Sequence, residues 1–130
     1  MKILVGYDGS NASKEALNLS VEHAKAFRAE IIVITSRQSG ETAEVKSIRQ
    51  DEKDLEKVKQ LFEKSAISCE THLLIRGLSP GEDIVSFAKE QNVNAVIIGV
   101  KRRSRVGKAL FGSNAQHIIL NAPCPVTTVR

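Results

Sequence analysis

The sequence alternates short runs of apolar, β-branched residues with longer segments in which apolar residues recur every three or four positions. The short runs are mostly continuous rather than alternating, which is typical of strands that are buried on both faces of a parallel sheet. They lie at residues 2–7, 30–36, 69–75, 94–100 and 125–130. The pattern therefore predicts five parallel strands.

Four segments of helical periodicity separate these strands. The first follows Ser10, which is placed to cap a helix, and the second is a charged segment with one apolar stripe. The third is predicted to begin at the capping box SPGE, residues 79–82, with proline at the first helical position. The fourth is predicted to begin at a second capping box, SNAQ at residues 113–116, and to end before Pro123.

The alternation of strands and helices defines the fold class. With right-handed crossovers, it predicts an α/β protein with an open parallel sheet and helices on both faces, a Rossmann-like arrangement. A chain of 130 residues fits a single domain, residues 1–130. Ligands of such sheets bind beyond the carboxyl ends of the strands, at the point where the strand order reverses.

Charge and composition restrict the class of ligand. The chain has 19 basic and 15 acidic residues, and its basic excess is concentrated in the loop at residues 101–108, which favours an anionic ligand. With four Phe, one Tyr and no Trp, a stacking platform for single-stranded nucleic acid is not expected. We see neither an apolar run that could span a bilayer nor a signal peptide, so we predict a cytoplasmic protein without membrane contact.

Asp8 is the first candidate for binding chemistry because it directly follows the first strand. Its carboxylate could accept hydrogen bonds from sugar hydroxyls or from the amino group of a base. Equally, it could only organise its own Asp-Gly turn, as aspartate commonly does. The sequence alone leaves both interpretations open.

The second candidate is the stretch GVKRRSRVGKALFGSN, residues 99–114. It fails the Walker A motif, because Arg102 and Ala109 stand where a glycine and a hydroxyl are needed, and it also lacks the G-x-G-x-x-G fingerprint. Its end, Gly112-Ser113, opens a helix, where free backbone N–H groups and the helix dipole favour an anion. The alternative is that Gly112-Ser113 serves only the helix start.

No catalytic residue or metal site is predicted. The three histidines, His23, His72 and His117, lie on separate predicted elements without partners at metal-ligand spacing. Ser10 does not stand in a G-x-S-x-G nucleophile motif. The pattern therefore does not indicate a hydrolase triad.

Three stretches together resemble the universal stress protein family: the N-terminal ILVGYDGSNASKEAL, Gly99 with Gly112-Ser113, and the ending LNAPCPVTTVR. The resemblance covers nearly the whole chain. It implies a parallel sheet in the strand order 3-2-1-4-5 and a homodimer that forms through the last strand, residues 125–130. Many members bind ATP or AMP, so the resemblance also implies an adenine nucleotide as ligand, with or without Mg²⁺.

The resemblance further implies which residues form the site. Nucleotide-binding members carry the motif G-x2-G-x9-G-[ST], which falls here on Gly99, Arg102, Gly112 and Ser113, so that arginine replaces the second glycine. Arg102 could crowd the phosphates or could bind them through its guanidinium group. The other implied contacts are Gly6 and Asp8 near the nucleoside, Ser36 near the adenine, and Ser113-Asn114 near the phosphates.

Three functions are consistent with these residues. The first is a stress-response regulatory protein that binds ATP or AMP, acts as a homodimer and meets an unidentified protein partner. The second is a slow ATPase, for which the sequence offers no obvious base beyond Asp8. The third is a nucleotide-free interaction module that uses the basic loop at residues 101–108 to bind an acidic partner.

Overall fold

The computed structural model describes residues 1–38, 44–101 and 111–130, and these residues form a five-stranded parallel sheet with four helices. The strands follow the order β3-β2-β1-β4-β5. The elements along the chain are β1 (Lys2–Gly6), α1 (Asn11–Phe27), β2 (Glu30–Ser36), α2 (Glu44–Lys64), β3 (Cys69–Leu74), α3 (Pro80–Gln91), β4 (Ala95–Gly99), α4 (Ser113–Asn121) and β5 (Val126–Val129). The predicted fold and strand order are confirmed.

The sheet reverses its direction of growth at β1, which lies between β2 and β4. Gly6 at the end of β1 is in register with Ile34 of β2, and Val5 is in register with Ile97 of β4. Helix α1, which follows β1, and helix α4, which follows β4, pack on opposite faces of the sheet. The crevice between β1 and β4 is therefore the position where this type of fold binds ligands.

Two hydrophobic cores hold the helices against the sheet. Alternate residues of β1 face opposite sides: Ile3 and Val5 pack with α1 and α2, whereas Leu4 packs with α3 and α4. Phe62 of α2 is fully buried in the first core, and Ile84 of α3 is buried in the second. Burying a side chain of this size contributes roughly 1.5–3 kcal/mol, so packing fixes both helix layers.

The predicted starts of α1 and α3 are confirmed. Ser10 is the N-cap of α1, and its hydroxyl accepts a hydrogen bond from Ser13 N at 3.2 Å. Ser79 is the N-cap of α3 and is followed by Pro80 at the first helical position. The Ser79 hydroxyl accepts from Glu82 N at 3.4 Å and donates to Glu82 Oε1 at 2.7 Å.

Helix α4 begins at Ser113, as predicted, but the predicted capping box with Ser113 as the N-cap was wrong. Gly112, with φ −65° and ψ 163°, is the N-cap, and Ser113 is already helical. A capping side chain has to stand on the last extended residue, and glycine at that position has no side chain. Gln116 instead donates through Nε2 to the carbonyl oxygen of Phe111 at 3.0 Å. The helix ends at Asn121, before Pro123, as predicted.

Among the helices of the described residues, none combines the length and the apolar character that crossing a membrane requires.

Candidate functional site

The loop from β1 to α1 is organised by Asp8. Its Oδ1 accepts a hydrogen bond from Ser10 N at 2.9 Å, and its own N–H donates to Ser13 Oγ at 3.4 Å. Gly9 between them has φ +83°, a left-handed conformation that glycine adopts without strain. The turn-forming interpretation of Asp8 is thus confirmed, and it leaves the carboxylate at the end of β1.

Asp8 is held in its charged form. Partial burial acts to raise its pKa, but hydrogen bonds from Ser10 and Ser13 and the positive charge of Lys101 outweigh this effect, so that the pKa lies below its ordinary value. A carboxylate only accepts hydrogen bonds. Asp8 is therefore chemically suited to receive hydroxyl or amino donors from a ligand.

Packing requires glycine at position 99 and restricts position 6 more weakly. A Cβ atom on Gly6 would come within 2.9 Å of Ile84 Cδ1. A Cβ atom on Gly99 would collide with the backbone of Ala12 and lie 2.6 Å from Ser13 N. Glycine at position 99 therefore lets the first turn of α1 lie directly against the end of β4. Helix packing accounts for this residue without any ligand.

Asn114 joins the starts of α3 and α4. Its Oδ1 accepts a hydrogen bond from Gly81 N at 2.9 Å, and a Cβ atom on Gly81 would lie 3.0 Å from Asn114 Cα. The side-chain oxygen of Asn114 therefore serves helix α3. The N–H groups of residues 113–115 are the first three of α4, where a helix provides no internal acceptors.

Ser36 ends β2 and contacts a buried ion pair that was not predicted. Its hydroxyl donates to Asp83 Oδ2 at 2.7 Å, and Asp83 is fully buried. Arg76, in the loop before α3, donates through Nε to Asp83 Oδ1 at 2.6 Å. The one available signal was an acidic residue among the apolar positions that α3 turns toward the sheet.

Arg76 is fixed by several contacts. Its Nη1 donates to both carboxylate oxygens of Glu90 at 3.1 Å, and its guanidinium group lies 5.9 Å from the centre of the Phe87 ring. Desolvation acts to lower the pKa of Arg76, but the bonds to Asp83 and Glu90 raise it on balance. The buried Asp83 is therefore matched by a permanent positive charge.

Two adjoining cavities lie at the carboxyl edge of the sheet. The first has a volume of about 170 Å³ and apolar walls from β2, β4, α3 and α4. The second has a volume of about 190 Å³ and is bordered by Lys101 and by the start of α4. The residues that line both cavities are Asp8, Gly99, Asn114 and Ala115. An apolar compartment thus continues into one that favours an anion.

Most of the predicted site residues line these two cavities. Gly6 and Ser36 line the first cavity, and Gly112 and Ser113 line the second. Arg102 lies outside the described residues, as does most of the basic loop. In the described part of the chain, no group of three or more His, Cys, Asp or Glu side chains is arranged to hold a metal ion.

The fold and this edge of the sheet define a class of α/β protein with a candidate ligand site at the β1–β4 crevice. The model of the universal stress protein family matches residues 1–130, and the chain belongs to that family. A universal stress protein from Methanocaldococcus jannaschii is 31% identical over 140 residues, which cover 99% of this chain and 81% of that protein.

Solved structures agree with this assignment. A universal stress protein from Archaeoglobus fulgidus is 33% identical, with a TM-score of 0.88 over 100% of this chain and 98% of that one. A structure of the universal stress protein from the same organism in complex with dAMP is 30% identical, with a TM-score of 0.84 and the same coverage of both chains.

Proposed function

We propose that the two cavities form one adenine-nucleotide site, with the nucleoside in the first cavity and the phosphate in the second. The observation that carries the proposal is that an apolar cavity and the open start of α4 adjoin at Asp8 and Gly99. The dAMP complex of the Archaeoglobus fulgidus relative supports the same class of ligand.

The first cavity suits a nucleoside. Ile34, Ile84 and Ile98 line it, and such apolar walls favour a flat aromatic base over a strongly hydrated ligand. The Asp8 carboxylate, at the boundary with the second cavity, is placed to accept hydrogen bonds from ribose hydroxyls. In this arrangement Asp8 keeps its role in the turn and also orients the sugar.

The second cavity suits a phosphate. The backbone N–H groups that open α4 lack intrahelical acceptors, and the helix dipole adds partial positive charge at the same place. Lys101 contributes a full positive charge to the wall. A helix start with these features binds phosphate without a dedicated side chain.

AMP has one part for each cavity, a nucleoside and a phosphate, whereas ATP would add two further phosphates. Asp8 is the sole carboxylate among the described residues that line either cavity. Any Mg²⁺ that accompanies ATP would therefore be held mainly by the phosphates, as is usual for this ion. Because Asp8 is the one carboxylate among these described residues, the lining also disfavours the slow ATPase. The alternative of a nucleotide-free interaction module depends on a loop outside the described residues.

We further propose that the protein acts as a homodimer in the cytoplasm, where nucleotide occupancy changes how it meets a partner during stress. Strand β5 forms one edge of the sheet, and an unpaired edge is usually covered. Ile119 and Leu120, which precede β5, are 41% and 80% exposed, and burying them against a second copy of the chain would be favourable. Sedimentation at micromolar concentration tests the dimer, and a monomer would contradict it.

Isothermal titration of the purified protein tests the nucleotide site. AMP and ATP are expected to bind saturably, with one nucleotide per chain. Adenosine is the control ligand for the first cavity, and inorganic phosphate is the control ligand for the second. If neither AMP nor ATP binds at millimolar concentration, the interaction module becomes the better account.

A further inference from the structure

Asp83 presents its two oxygens to two different partners. Oδ1 faces the guanidinium group of Arg76, at 2.6 Å from Nε and 2.5 Å from Nη2. Oδ2 accepts the hydroxyl hydrogen of Ser36 at 2.7 Å. Because Asp83 is fully buried, Ser36 is the residue that links this charge to the wall of the first cavity.

This geometry fixes the direction of the Ser36 hydroxyl. A serine hydroxyl has one hydrogen to donate and two lone pairs that accept. A carboxylate that is paired with arginine can only accept, so the single hydrogen of Ser36 is committed to Asp83. Toward the cavity, Ser36 can therefore act only as an acceptor.

An acceptor at Ser36 would distinguish purines by the group that they carry at the six-position. Adenine carries an amino group there, which donates, whereas hypoxanthine and guanine carry an oxygen, which accepts. An acceptor on the protein can pair with the amino group but not with the oxygen. We propose that Ser36, oriented by Asp83 and Arg76, selects 6-amino over 6-oxo purine nucleotides. This inference rests on the proposed nucleotide site.

The direct test compares AMP with inosine 5′-monophosphate (IMP), which differs in this substituent and the adjoining ring proton. The wild-type protein is expected to bind AMP roughly tenfold more tightly than IMP, because IMP would leave two acceptors facing each other. In Ser36→Ala the ratio of the two Kd values should fall to near one. An unchanged ratio in this variant would overturn the inference.

Asp83→Asn offers a sharper test, because the amide has one acceptor and one donor. Arg76 has only donors to offer, so the amide oxygen should turn to Arg76 and the amide NH₂ to Ser36. The Ser36 hydroxyl would then accept from Asn and release its hydrogen toward the cavity. The variant should bind IMP at least as tightly as AMP. If the folded variant keeps the wild-type preference, the proposal is wrong.

Two further variants control for indirect effects. Ser86→Ala also removes a hydroxyl that donates to a carboxylate of the same network, Glu90 at 3.1 Å, but Ser86 does not line the cavity, so the AMP to IMP ratio should stay unchanged. Ser36→Thr keeps the hydroxyl and should retain the preference. If Asp83→Asn fails to fold, the comparison of Ser36→Ala with Ser36→Thr still tests the inference.

The wild-type protein separates this inference from the proposed nucleotide site. Tight but equal binding of AMP and IMP would contradict the selectivity but not the nucleotide site. Binding of neither nucleotide would reject the site itself.

Discussion

The starts of α3 and α4 lie side by side at the same edge of the sheet, yet they differ in how their first backbone N–H groups find acceptors. At α3, Pro80 has no N–H group, Gly81 N donates to Asn114, and Glu82 N donates to Ser79. At α4, the N-cap is Gly112, and no side chain in the part of the chain that the structure describes caps the helix. The first start is satisfied by protein groups, whereas the second is open to the cavity.

This difference separates a structural helix start from one that is suited to binding. A capping side chain would occupy the space that an anion needs at the N-terminus of α4. Asn114, which could have turned back on its own helix, accepts instead from Gly81 of α3. A residue of α4 thus caps α3, whereas the first N–H groups of α4 have no side-chain acceptor among the described residues.

Gly112→Asp should convert the start of α4 to the type found in α3, and it carries the largest expected effect. An Asp N-cap accepts from the first-turn N–H groups and places a negative charge in the second cavity. We expect AMP affinity to fall roughly 30-fold, about 2 kcal/mol, as phosphate loses charge-assisted hydrogen bonds. Titration with AMP measures the loss.

The same variant should be as stable as the wild type or more stable, because aspartate caps a helix better than glycine does. Adenosine, which has no phosphate, is the matched control ligand and should bind Gly112→Asp as it binds the wild type. An equal loss of adenosine and AMP would show that the substitution damages the nucleoside cavity rather than the phosphate compartment.

Asn114→Ala should open the start of α3. It leaves Gly81 N without its acceptor, which is expected to lower the free energy of unfolding by about 1–2 kcal/mol. AMP binding should change little, because the backbone N–H groups of α4 remain. Chemical denaturation measures the first quantity and titration the second. A large loss of AMP affinity at unchanged stability would assign the Asn114 side chain to the ligand.

Ser79→Ala should remove the cap of α3 and cost about 1 kcal/mol of stability, a typical value for a lost N-cap. Thermal and urea denaturation would both report it. Since Ser79 lines neither cavity, the Kd for AMP should stay constant. A shift in Kd comparable to that of Gly112→Asp would remove the distinction between the two helix starts.

Asp8→Asn tests the smallest effect, a dependence of stability on pH. Because the folded-state pKa of Asp8 lies below its ordinary value, the charged carboxylate contributes stability above the unfolded-state pKa. That contribution is lost as the pH falls through the folded-state pKa. The variant should therefore lose less stability between neutral pH and pH about 3 than the wild type does. Equal acid sensitivity would contradict this assignment.

The two helix starts also show what the sequence can and cannot predict. Both carry the pattern of a capping box, SPGE at residues 79–82 and SNAQ at residues 113–116. Proline after Ser79 fixes the first helical residue, so the cap was predicted correctly. Ser113 has no such marker, and the spacing alone does not show whether Gly112 or Ser113 is the last extended residue.

The fold was predictable because its signals are local. Continuous β-branched runs indicate buried parallel strands, and the strand order came from resemblance to the family. The ion pair below Ser36 was not predictable, because Asp83 and Arg76 meet only after α3 docks on the sheet. The resemblance places Gly99 in the nucleotide-binding motif, but its contact with Ala12 and Ser13 was not predictable, because it depends on how α1 packs against β4.

The central claim is that the open start of α4 completes an adenine-nucleotide site, and titration of the wild-type protein with AMP and with adenosine tests it most directly. The account predicts saturable binding of one AMP per chain and an affinity at least about tenfold higher than that for adenosine, from the added charge-assisted hydrogen bonds to phosphate. Absence of saturable AMP binding at millimolar concentration, or equal affinity for AMP and adenosine, would contradict it.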